Sequence, residues 1–99
     1  MEDLQMKGKF WKVVCILATG TEPLQARLAD AYVNELIHIK PSWLPPEHVE
    51  SLRAIRHGLT SHTAVGNEGT VMATCRQMND SEASQWANKM VDLCGEMIL

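Results

Sequence analysis

The sequence predicts an all-α fold resembling a four-helix bundle, and three observations carry that reading. Apolar residues recur three or four positions apart through most of the chain. Prolines, glycines and an Asn-x-x-Glu motif fall between those stretches, where helices start and stop. The one segment with strand-like alternation has no second strand to pair with. The expected helices cover about 7–19, 21–39, 45–59 and 79–95, with a short helical turn at about 70–77, all in a single domain over residues 1–99. No internal repeat or low-complexity tract interrupts them.

Residues 1–6 are expected to fray. From Lys7 to Thr19, Phe10, Val13, Val14 and Leu17 form one apolar stripe, while Trp11, Cys15, Ile16 and Ala18 carry apolar surface most of the way round. Val13, Val14 and Ile16 would also suit a strand, but the length of the segment and its short link to the next favour a helix. Gly20 ends it. In the second helix Thr21 is expected to cap the free N–H groups, Glu22 to face the positive end of the dipole and Pro23 to sit in the first turn. Leu24, Leu28, Ala31, Tyr32, Leu36 and Ile39 then form its core stripe, with Gln25, Arg27, Asp30 and Asn34 off it.

Pro41 turns Lys40 away from helical angles and ends that helix, after which Trp43 and Leu44 are expected to staple the connection to the core. Pro45 and Pro46 open the third helix, with Val49, Leu52, Ile55, Arg56 and Leu59 on its inner side and Gly58 weakening its last turn. Thr60 to Gly69 is rich in turn formers and is expected to be the mobile loop. Between Thr70 and Met78, Val71, Ala73 and Cys75 alternate as in a strand, yet Met72, Cys75 and Met78 suit a helical turn; the missing partner strand decides for the helix. Asn79 and Glu82 form a variant of the capping box, followed on one face by Ala83, Trp86, Ala87, Met90, Val91 and Cys94.

Composition narrows the class. With 45% hydrophobic and 21% charged residues, the 99-residue chain is too apolar for a disordered tail, and it has no apolar run long enough to span a bilayer. The acidic start Met-Glu-Asp-Leu does not resemble a signal peptide, so a cytoplasmic protein without membrane attachment is expected. Cys15, Cys75 and Cys94 are odd in number and widely spaced, which suggests buried free thiols rather than disulfides or a zinc site. The net charge of −3 argues against nucleic acid as main partner, and Lys7, Lys9 and Lys12 read as a solvated face.

Two constellations could carry chemistry. Glu35 and His38 have the E-x-x-H spacing by which di-iron bundles aim two ligands inward, although no second such pair is present. His38 near a helix end also complements the dipole when protonated. Arg56 and His62, separated by five residues, form an R-x(4–6)-H pattern that resembles the one in HEPN ribonucleases, a family of small helical bundles. The resemblance implies that His62 assists proton transfer at a ribose hydroxyl and Arg56 steadies the phosphate, usually across a dimer interface. Cys75 beside Arg76 is a third candidate, as an activated thiol. No nucleophile elbow or phosphate-cradling loop occurs, and no cofactor is expected.

The residues therefore favour a protein that acts by binding another protein over the alternative of a HEPN-like ribonuclease. Three tryptophans and six methionines exceed what one small core readily hides, and residues 10–18 are apolar at every position except Lys12. A homodimer is expected, with Trp11, Cys15, Ile16, Met97 and Ile98 at its interface. The competing arrangement places the first helix at the centre, wrapped by the other three.

Overall fold

The first helix runs further than its periodicity implies. In the computed structural model, which describes residues 2–61 and 69–98, α1 spans Glu2–Thr19. Met6, expected to fray, is buried with Phe10, Val13 and Leu17, so one more apolar residue on the core stripe keeps the first turns helical. α2 (Leu24–Asn34), α3 (Pro46–Leu59), α4 (Thr70–Arg76) and α5 (Asp80–Ile98) follow, and no strand occurs among the described residues. The fold is all-α, as the spacing predicts.

The entry to α2 differs from the expectation. Thr21 does not cap it; Pro23 occupies the boundary in an extended conformation without any side-chain cap. Arg27 ties the turn together instead, donating from Nε to the Glu22 carbonyl at 2.9 Å and from Nη1 to the Leu17 carbonyl at 2.5 Å. Gly20 makes space for this, since a Cβ there would lie 2.7 Å from the arginine's Cδ.

The exit differs as well. α2 stops at Asn34, Glu35 breaks the helical angles, and Leu36–His38 forms a 3-10 turn. The periodicity at Leu36 and Ile39 is real, because both are buried, but a 3-10 turn stacks residues three apart just as an α-helix nearly does. A second 3-10 turn, Pro41–Trp43, leads to α3, where Pro46 takes the first helical position. Leu44 is buried and Trp43 packs against the core, as expected of the staple.

The Asn79 box is present in full. The Glu82 N–H donates to Asn79 Oδ1 at 2.8 Å, and the Asn79 N–H to Glu82 Oε1 at 3.2 Å. The inward stripe of α5 is Ala83, Met90, Leu93, Cys94 and Met97, with Trp86 and Ala87 partly buried. Val91, expected inside, is 43% exposed, while Leu93 takes the core position.

A single apolar cluster joins all five helices. α2 packs on α1, α4 and α5, and α5 on α1, α2 and α3, so these two helices form the centre. α1 lies on the outside and is not wrapped by the others. Trp86 of α5 seats directly over Gly58 of α3, where an added Cβ would come within 2.1 Å of the indole. Residues 62–68 of the loop expected at 60–69 lie outside the described residues.

Candidate interaction surface

A helix on the periphery of a core has one face to bury and one to leave out, and on α1 the outer face is unusually apolar. Leu4, Gly8, Trp11, Cys15 and Ala18 follow one another at alternating spacings of four and three, so they form one continuous seam. Leu4 is 76% exposed and Trp11 57%. Around Gly8 the space is open, with no atom within 4 Å of where a Cβ would stand. A glycine inside a helix costs about 1 kcal/mol relative to alanine, and no intramolecular contact accounts for this one.

The five interface candidates separate on inspection. Trp11 is exposed, and Cys15 is half-buried beside it on the seam. Ile16 is also half-buried but packs against the core. Met97, at 8% exposure, belongs to the core itself, and Ile98 packs on it. Leu4 and Gly8 are the residues that sequence reasoning missed. Their signal is the heptad spacing to Trp11 and Cys15; for Leu4 it is hidden by the expected fraying of residues 1–6, and Gly8, within the expected helix, carries no apolar side chain to mark it.

Arg56 has a different occupation from the one implied by the ribonuclease resemblance. Its Nη2 donates to the Ile39 carbonyl at 2.6 Å, and its Nε is buried without a hydrogen-bond partner among the described residues. Burial pushes the Tyr32 phenol above its usual range, and the nearby Arg56 charge pulls it part of the way back. Arg56 thus holds the non-helical segment after α2 against α3. His62 lies outside the described residues.

Glu35 and His38 do not share one continuous helix, because the chain changes to 3-10 geometry between them. Glu35 is 8% exposed and His38 lies at the surface. Among the described residues no group of three or more His, Cys, Asp and Glu side chains is placed to hold a metal ion. The cysteines are all free. Burial raises the Cys75 thiol to about 11 and the Cys94 thiol to about 12, the reverse of activation.

The fold and its surface define a small all-α protein of five described helices with an apolar seam left open along one of them. No helix among the described residues is long and apolar enough to cross a membrane. No protein-family model, curated protein or solved structure matches the chain.

Proposed function

We propose that this protein acts by binding rather than by catalysis, as a cytoplasmic interaction module that first pairs with a second copy of itself through α1. The seam Leu4, Gly8, Trp11, Cys15, Ala18 is the observation that carries this reading. From Leu4 to Cys15 it alternates large and small side chains, and such a pattern is self-complementary about a two-fold axis. An antiparallel pairing that sets Gly8 opposite the second copy's Trp11 also sets Leu4 opposite its Cys15, so every large residue meets a small one. Gly8 then has a purpose, as the point where an indole approaches the helix backbone. Three free thiols suit a reducing compartment.

One helix face makes an interface at the small end of the stable range, below about 1,200 Å², so the dimer should depend on concentration. Light scattering coupled to size exclusion tests it. At tens of micromolar the mass should exceed the 11.1 kDa of one chain, and Trp11→Glu should return it to that value with the helical circular dichroism unchanged. A wild-type protein that stays at monomer mass throughout would end the proposal.

A further inference from the structure

Lysine is not evenly spread over this acidic protein. Lys7, Lys9, Lys12 and Lys40 are four of its five lysines, and Lys9 and Lys40 meet across a shallow basin of about 570 Å³. Its lining is Gln5 and Lys9 from α1, Asn34 from the end of α2, and His38, Lys40 and Trp43 from the segment that follows. Among the described side chains no carboxylate lines it; Glu35, between Asn34 and His38 in sequence, is withdrawn from the surface. Gln5, Lys9, Asn34 and His38 enter no side-chain hydrogen bond or ion pair among the described residues, and the ammonium of Lys40 stands 5.9 Å from the Trp43 ring centre.

The wall carrying three of these groups is held firmly. Pro41 fixes the backbone after Lys40, and the Trp43 N–H closes the turn onto the Lys40 carbonyl at 2.9 Å. The His38 N–H bonds the Glu35 carbonyl at 3.1 Å. Arg56 anchors the segment from behind through the Ile39 carbonyl. His38, Lys40 and Trp43 are therefore presented on a pinned backbone, which lowers the cost of binding.

From this arrangement we infer that the basin is a binding site for a nucleoside phosphate. Two lysines with no competing carboxylate among the described side chains select an anion, and the overall charge of −3 means that the attraction must be local. An indole and two carboxamides add what a bare phosphate would not use: a surface for a planar ring and paired donors and acceptors for its edge. Lys9 binds the phosphates, Lys40 leaves the Trp43 ring to join it, and the indole face so uncovered takes the base, with Asn34 and Gln5 at its edge. Gln5 and Lys9 adjoin Leu4 and Gly8 of the α1 seam, so binding is measured on the Trp11→Glu variant as well as on the wild type, which separates it from dimerisation.

Isothermal titration of the full chain with ADP, adenosine and pyrophosphate provides the test. Saturable ADP binding is expected, about tenfold tighter than either fragment. Lys9→Gln and Lys40→Gln should each weaken it about fivefold or more, and Trp43→Phe should weaken ADP and adenosine while sparing pyrophosphate. Circular dichroism verifies that each variant is folded. Absence of ADP binding up to about 1 mM overturns the inference. Binding that survives the double substitution K9Q/K40Q does so too, as does pyrophosphate binding as tightly as ADP, which would mean an unselective anion patch.

Discussion

Gly58→Ala sets two physical effects against each other, and the structure decides the sign. In a helix considered alone, alanine is better than glycine by about 1 kcal/mol. Here the new Cβ would stand 2.1, 2.2 and 2.8 Å from three carbons of the Trp86 ring, where carbon atoms normally approach to about 3.5–4.0 Å. The indole must retreat by roughly 1.5 Å. It packs against the core, and the Lys89 ammonium lies 4.9 Å from its ring centre, so a shift loosens both contacts. Overpacking costs about 1–3 kcal/mol, and three ring carbons inside 3 Å place this site in the upper part of that range, about 2–3 kcal/mol, which outweighs the gain in propensity. A net loss of about 1–2 kcal/mol should lower Tm by roughly 5–15 °C for a domain of this size. Thermal and urea unfolding followed by circular dichroism measure it. In a Trp86→Leu background the clash is gone, and the same substitution should become neutral or stabilising. An unchanged or raised Tm for G58A, or an equal cost in both backgrounds, would refute the reasoning.

Gly8→Ala should behave in the opposite way, raising the stability of the monomer by up to about 1 kcal/mol because nothing lies within reach of the new methyl, while weakening the dimer in sedimentation. Gly95→Ala, equally open but off the α1 seam, should stabilise without changing association. Asn79→Ala removes the acceptor of the Glu82 N–H and should cost about 1 kcal/mol, read from the urea midpoint. The buried thiols make stability depend on alkaline pH. Their folded values of about 11 and 12 exceed the ordinary 9.0, so above pH 9 the unfolded chain holds fewer protons and stability falls, by up to about 1.4 kcal/mol per pH unit for each thiol. Urea midpoints at pH 8 and pH 10 should differ accordingly, and equal midpoints would contradict the burial of Cys75 and Cys94.

The elements that were legible in the sequence are those governed by neighbours along the chain. The Asn79 box, Pro46 at the start of α3 and the stripe Leu28, Ala31, Tyr32 are all local patterns, and each is in place. What escaped depends on partners distant in sequence. Arg27 replaced Thr21 as organiser of the α2 entry because its guanidinium reaches back ten residues to Leu17. Leu36 and Ile39 gave the right burial and the wrong helix, since spacing by three does not separate α from 3-10 geometry. Gly58 read as a weak turn because its reason, Trp86, lies on another helix. The basin is assembled from α1, α2 and the Pro41 turn, and no contiguous motif could have announced it.

α1 makes its most extensive helix contact with α5, the last described helix. The chain emerges from synthesis in the other order from the one in which this contact is needed. Met6, Phe10 and Val13 belong to the shared core, so their full cover is not available until Met90, Cys94 and Met97 have been made. At about 5–20 residues per second, an exposed apolar helix bearing Trp11 on its other side persists for several seconds on the ribosome. Closing so long a loop also adds an entropic barrier to an otherwise local, fast-folding helical topology. The nascent protein is thus most vulnerable to chaperone capture and aggregation through its first helix, before the last one is complete.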